Sequence, residues 1–153
     1  MKVRERTASV LALWFGCGWV PFAPGTAGSL GAIPLYLLVR PAGLVPLAFV
    51  ALVITAVGVW ASGVVAKERD QKDPQVVCID EVAGMLVTLL AAPVGWRGVL
   101  AGFVAFRVCD QLKPWPANAA ERLPFGWGIV MDDIAAGAWA ACLLLTARAL
   151  GWL

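Results

Sequence analysis

The chain reads as an all-α, membrane-integrated multi-helix bundle of about five hydrophobic helices, and three observations predict it. Of its 153 residues, 61% are hydrophobic and 14% charged, with a mean hydropathy of +0.81, far to the apolar side of a soluble balance. No charge interrupts the chain between Arg6 and Arg40 or between Arg40 and Lys67, and each gap can hold a span of about 20 apolar residues. The apolar runs end in Gly and Pro clusters and lack strand-like alternation. The length fits one domain, residues 1–153.

The N-terminal "MKVRERTASV" is basic like the start of a signal peptide, but no small-residue cleavage site followed by a soluble stretch comes after it, so it is expected to be a retained cytoplasmic end. "WFGCGWVPFAPGTAGSLGAIP", Trp14 to Pro34, suspends the apolar pattern without a charge and predicts a shaped loop leading into a helix over Ser29–Val39. Further helices are expected over Leu44–Ala66, Val82–Ala92, Gly98–Leu112 and Ile134–Leu150. "APVGWRG" splits what could be one long span from Val82 to Arg107 into two short helices that go in and come back. Such helices are short for a full crossing, so re-entrant insertion stays open.

Charge asymmetry supports that split. With a cytoplasmic N-terminus and five crossings, Lys2, Arg4, Arg6, Lys67, Arg69, Lys72, Arg107, Lys113 and Arg122 fall inside, while Arg40, Arg97 and Arg148 fall outside or near the outer ends. All acidic residues then gather on the inner side. A net charge of +2 and the lack of a basic stripe argue against nucleic-acid binding. Cys17, Cys78, Cys109 and Cys142 are widely spaced and His is absent, so free or buried thiols are expected and no zinc or disulfide framework.

The chemistry lies in carboxylates at the ends of apolar helices. Asp80 and Glu81 stand just before the run from Val82, and Asp132 and Asp133 just before Ile134, where each pair could cap a helix. Together with Asp110 and without any imidazole, they also suit an oxygen-ligand site for a hard cation such as Mg2+. In "FRVCDQLKPWP", the spacing of Arg107, Asp110 and Lys113 places Arg107 beside Asp110 and Asp110 beside Lys113 on one ridge. That ridge suits a phosphate ester, or equally local salt bridges with a snorkelling Lys. Trp115 reads as an interfacial anchor. Thr26 and Ser29 of "PGTAGS" are candidate hydroxyl donors to phosphate, or ordinary caps. The P-loop Lys is missing.

Four ordered stretches, "FGCGWVPFAPGTAGSLGAIP", "KDPQVVCIDEVAG", "FRVCDQLKPWP" and "GIVMDDIAAG", resemble the phosphatidylglycerophosphatase A family over nearly the whole chain. The resemblance implies one central helix surrounded by others and a Mg2+-dependent phosphatase at the bacterial cytoplasmic (inner) membrane. The implied reaction converts phosphatidylglycerophosphate to phosphatidylglycerol on the cytoplasmic side. It places the acidic motif on Asp80 and Glu81, the mixed-charge helix on Arg107, Asp110 and Lys113, and the double Asp on Asp132 and Asp133. The family pattern has a further Gly and a β-branched residue where this chain has Phe125 and Ala117.

Attack by a metal-activated water, with one carboxylate as base and Arg107 and Lys113 stabilising the phosphoryl oxygens, is the expected mechanism. A covalent aspartyl-phosphate through Asp80 or Asp132 is the alternative. The rival from another class is a small transporter or channel using intramembrane carboxylates, which should sit near mid-membrane and not on one face.

Overall fold

The structure, a computed structural model, describes residues 3–153. They form α1 (Val3–Ala12), α2 (Pro24–Val39), α3 (Leu44–Arg69), α4 (Ile79–Leu90), α5 (Trp96–Leu112), α6 (Ala117–Ala120) and α7 (Gly126–Ala149), with 3-10 turns at Trp14–Trp19 and Arg40–Ala42. No strand occurs among the described residues. Two helices, α3 and α7, are long and apolar enough to cross a membrane. Of the about five hydrophobic helices expected, two reach that length, and α2, α4 and α5 are shorter. Lys2, one of the basic residues assigned to the inner side, lies outside the described residues.

Several boundaries differ from the sequence expectation, and close packing of glycine explains most of them. The helix expected from Ser29 starts at Pro24, which at the first turn has no N–H to forfeit. The Ser29 hydroxyl donates back to Gly25 O at 2.9 Å and caps nothing. The helix expected from Ile134 starts at Gly126, so Asp132 and Asp133 lie two turns inside α7 and cannot be its N-terminal caps. Gly126 reads as a breaker in isolation, but a Cβ there would strike Val59 O of α3, so packing against that helix outweighs poor propensity. Asp80 and Glu81 stand in the first turn of α4, which begins at Ile79 and has no side-chain cap. The basic N-terminal segment is itself helical, with Ala8 and Ala12 buried; α1 packs on α3.

Helix α4 is central: it packs against α1, α2, α3, α5 and α7, and Ile79, Val82, Met85, Leu86 and Leu89 are fully buried on it. Its tightest neighbour is α7. A Cβ on Gly137 would meet Gly84 O, and one on Gly84 would lie 2.5 Å from Asp133 O. Thr88 adds a hydroxyl donated to Gly84 O at 3.0 Å and to Gly137 O at 3.3 Å. These contacts make α4 and α7 parallel. Gly58 against Val130 and Gly63 against Gly126 set α3 antiparallel to α7, and Phe106 against Gly84 with Gly102 against Leu89 sets α5 antiparallel to α4.

The bundle therefore has two unlike ends. At one end lie the starts of α2 and α4, the close of α3 and α5, and the first turns of α7, with nine of the ten acidic residues of the chain in the segments gathered there and the tenth, Glu5, on α1. At the other end lie Arg40, Arg97 and Arg148, with no acidic residue. Exposed aromatics rim both: Phe15, Trp19, Phe22, Trp115, Phe125 and Trp127 at the acidic end, Trp96 and Trp152 at the other. Between them the outer helix faces are apolar, as with Leu38, Val45, Phe49, Leu52, Val104 and Leu145.

Phe125 carries φ +53° and ψ −141°, backbone space that glycine enters freely and other residues enter at a cost of about 1–3 kcal/mol. Its ring is 72% exposed, so little packing offsets that cost. Phe125→Gly should stabilise the fold even after glycine's loss of about 0.4–1 kcal/mol through the unfolded chain. A thermal midpoint raised by about 2–4 °C in detergent is expected; an unchanged or lower midpoint contradicts the strain.

Candidate active site

The site is assembled one helical turn from the α4–α7 crossing. Asp80 precedes Gly84 by four residues and Asp133 precedes Gly137 by four, so the parallel crossing of the two glycines stacks the two carboxylates side by side. Glu81 completes the group: one carboxylate oxygen from each of Asp80, Glu81 and Asp133 lies within 4.8 Å of the others. Asp80 and Asp133 are 8% and 5% exposed. Asp80 Oδ1 and Glu81 Oε2 are buried without a hydrogen-bond partner. Among the described residues no Lys or Arg forms an ion pair with any of the three.

This is an unfavourable arrangement as it stands. A buried, unpaired charge costs several kcal/mol (about that per ion after relaxation) and like charges at this separation add repulsion. A cation among the three oxygens removes both costs. All-oxygen carboxylate donors suit a hard divalent ion, and no imidazole or thiolate competes in the cluster. The donor set therefore fits Mg2+ in chemistry, and Asp80, Glu81 and Asp133 are the residues that could hold it.

Cations flank the cluster. Arg107 Nη1 lies 2.8 Å from Asp110 Oδ2, the i, i+3 neighbour read from the sequence. No hydrogen-bond acceptor is aligned with that nitrogen, so the contact is an ion pair whose donor remains uncommitted. Lys113 departs from the expected ridge: it ends α5 in the left-handed conformation, φ +44°, and turns away from Asp110. Its ammonium donates to Asp132 Oδ2 at 2.8 Å and lies 3.5 Å from Glu121 Oε2. Burial alone would lower the Lys113 pKa, but the hydrogen bond to Asp132 and the charges of Asp132, Glu121 and Asp133 outweigh it and hold the group above its ordinary value. Asp132 Oδ1 accepts the Asp133 backbone N–H at 3.0 Å, which fixes both of its oxygens. Of the five expected carboxylate ligands, the structure thus gathers three and commits Asp110 and Asp132 to neighbouring cations.

The start of α2 closes the site. A Cβ on Gly25 would run into Glu81 Oε1 and lie 3.3 Å from Arg107 Nη1, and one on Gly28 would lie 3.3 Å from Glu81 Oε2. The glycines of "PGTAGS" thus allow α2 to approach the carboxylates and the guanidinium. Thr26 is half-buried in that first turn, whose leading N–H groups have no partner within the helix. Gly25, Gly28 and Glu121 were absent from the residues singled out in the sequence; their signal was proximity to a motif, which sequence spacing does not convert into contact.

A helical bundle with a buried carboxylate triad between an Arg and a Lys has the parts of a phosphoric monoester hydrolase. The chain belongs to the phosphatidylglycerophosphatase A family, whose model matches residues 10–148. It is 40% identical to the phosphatidylglycerophosphatase A of Escherichia coli, over 88% of this chain and 80% of that one. It is 37% identical to a putative phosphatidylinositol-3-phosphatase of Bacteroides thetaiotaomicron, over 88% and 89%, and 34% identical to the phosphatidylglycerophosphatase A of Haemophilus influenzae, over 88% and 85%. No solved structure matches the chain. Family membership makes this protein a phosphatidylglycerophosphatase by class, an enzyme and not a transporter.

Gly25→Ala tests the closing contact. The atom its methyl displaces is the tip of the Glu81 side chain, so the fold should survive, with a gain of up to about 1 kcal/mol in helix propensity. Activity should fall at least about tenfold, the lower scale for disturbing a group that orients a metal site. Unchanged activity with unchanged stability would show that Glu81 can move without consequence.

Proposed function

We propose that the protein hydrolyses phosphatidylglycerophosphate to phosphatidylglycerol and inorganic phosphate at the bacterial cytoplasmic (inner) membrane, as a multi-pass protein using Mg2+ and an active site facing the cytoplasm. The observation that carries this reading is the uncompensated carboxylate triad of Asp80, Glu81 and Asp133 beside the Arg107 guanidinium, whose buried Nη1 has no aligned hydrogen-bond acceptor, in a chain of this family. The apolar outer faces and the aromatic rims at both ends support residence in a bilayer. The excess of basic residues at the carboxylate end supports a cytoplasmic orientation for that end.

In this mechanism the headgroup phosphate enters between the start of α2 and the close of α5. Arg107 forks onto two phosphoryl oxygens, and Lys113, oriented by Asp132 and Glu121, meets a third. The first-turn N–H groups of α2 and the Thr26 hydroxyl add donors, while Ser29 holds the turn through Gly25. Mg2+ held by Asp80, Glu81 and Asp133 would supply Lewis-acid polarisation and a more acidic water. A free carboxylate oxygen of the Asp80–Glu81 pair accepts the proton of the attacking water as its oxygen bonds to phosphorus. The phosphorus–ester oxygen bond breaks, the proton taken up by the carboxylate passes to the leaving ester oxygen so that the lipid departs as an alcohol and the carboxylate is restored, and Arg107 and Lys113 hold the charge on the departing phosphate.

A second substrate has one specific observation behind it, the similarity to the Bacteroides thetaiotaomicron protein named for a phosphatidylinositol phosphate. Phosphate release by the purified protein from phosphatidylglycerophosphate and from phosphatidylinositol 3-phosphate, side by side, decides between them. The glycerol lipid is expected to be the better substrate.

Asp80→Asn and Asp133→Asn should each lower phosphate release at least about 100-fold, the scale of a lost base or charge stabiliser. Removing one of three repelling buried charges should leave thermal stability equal or higher. Excess chelator should abolish wild-type turnover. Near-normal activity in either variant, or full turnover in chelator, contradicts the metal site.

For topology, single cysteines placed at Gln71 and Glu121 in a cysteine-free background should react with an impermeant thiol reagent from one side of a sealed vesicle, and one at Val94 from the other. Labelling of Gln71 and Glu121 positions from opposite sides contradicts a shared site at one face.

A further inference from the structure

The end of the bundle remote from the carboxylates holds a cavity of about 670 Å3 between the C-terminal part of α2 and the N-terminal part of α5, well within the size range of ligand sites. Its walls are almost wholly apolar, including Ile33, Leu37, Val99, Leu100 and Phe103. Two polar groups stand out at the close of α2. Tyr36, 1% exposed, has a hydroxyl without a partner, and Arg40, one turn on along the same face, has a buried Nε without an acceptor. Both residues line the cavity. Among the described residues Arg40 forms no ion pair, and the helix ends gathered around it, the close of α2, the start of α3 and the start of α5, carry no acidic residue. Arg97 sits beside the cavity wall, its guanidinium 5.5 Å from the Trp96 ring centre, and adds to an uncompensated positive field.

An apolar trough with unpaired cations at its mouth, at the level of one aromatic rim, has the charge and polarity pattern of a phospholipid turned end-on. We propose that this cavity binds one anionic phospholipid from the leaflet opposite the carboxylate cluster, with its phosphodiester at Arg40 and an acyl chain along the α2–α5 trough. The site rests on the membrane reading above but not on the catalytic one. It is separate from the substrate's: Gly25 at the start of α2 faces Arg107, whereas Arg40 stands some four turns further along, about 22 Å at 1.5 Å per residue.

Native mass spectrometry of the purified full chain in detergent, titrated with dioleoylphosphatidylglycerol or dioleoylphosphatidylcholine, tests this. Wild type should retain one phosphatidylglycerol, at least about tenfold more tightly than phosphatidylcholine, because the phosphodiester is common to both lipids but the choline cation of the second would stand against the unpaired Arg40 and Arg97. Arg40→Gln should abolish that preference while leaving phosphate release unchanged. Leu100→Trp, which fills the trough and keeps the charge, should weaken retention of either lipid and serves if Arg40→Gln fails to fold. Arg107→Gln, altered at the active site, should keep the phosphatidylglycerol adduct. Equal retention of the two lipids by wild type, wild-type retention in Arg40→Gln or in Leu100→Trp, or loss of the adduct in Arg107→Gln would each overturn the proposal. Absence of phosphatase activity with an intact Arg40-dependent adduct would sink the catalytic reading alone, and partition of the chain into the aqueous phase of a detergent extraction would sink the membrane reading and this site together.

Discussion

The structure depends on the close, parallel crossing of α4 and α7 at Gly84 and Gly137. Neither position has room for a methyl group: the opposing atoms are backbone, Asp133 O against Gly84 and Gly84 O against Gly137. Thr88 ties the crossing with one hydroxyl shared between the two glycine carbonyls. The site follows from helical periodicity, because each glycine has an Asp four residues earlier, Asp80 and Asp133, on the same face. Bringing the backbones together brings the carboxylates together.

That constraint sets two opposing demands. Packing around the crossing is apolar and close, with Met85, Leu86, Leu89 and Phe106 fully buried, and dispersion rewards every approach. One turn away the same approach brings two buried acidic groups and a half-buried third together with no Lys or Arg ion-paired to any of them among the described residues. Surrounding charges are arranged to leave that need unmet: Arg107 is held by Asp110 and Lys113 by Asp132. A divalent ion would resolve the conflict within the triad, and in the proposed reaction a phosphate would engage the two flanking cations. On that reading stability and function would be coupled at one place, as in sites whose metal contributes to folding free energy.

Much of this was legible in the sequence because it depends on local signals. Composition and charge gaps point to an all-helical bundle, the α5 ending follows from Lys113 before Pro114, and Arg107 beside Asp110 follows from i, i+3 spacing. What escaped was decided by contact between distant segments. Gly25 and Gly126 look like helix breakers, and only the presence of Glu81 or Val59 opposite them shows that the missing Cβ is a packing requirement. For the same reason Asp132 and Asp133 read as caps of a helix that in fact begins six residues before the first of them. The recurrence of Asp-x-x-Ala-Gly in "DEVAG" and "DIAAG" was the one signal in the sequence that could have paired Asp80 with Asp133. The turn of Lys113 toward Asp132 had no such signal, since it arises from a single left-handed residue.

Calorimetric titration of Mg2+ into the purified wild-type protein and into Gly84→Ala tests the central claim, because that variant keeps every carboxylate and changes only the crossing that assembles them. The account predicts one site per wild-type chain and affinity at least about tenfold weaker in Gly84→Ala, the lower scale for disturbing the support of a metal site, with helical content retained by circular dichroism. No binding to wild type, or equal affinity in the two proteins, would contradict it.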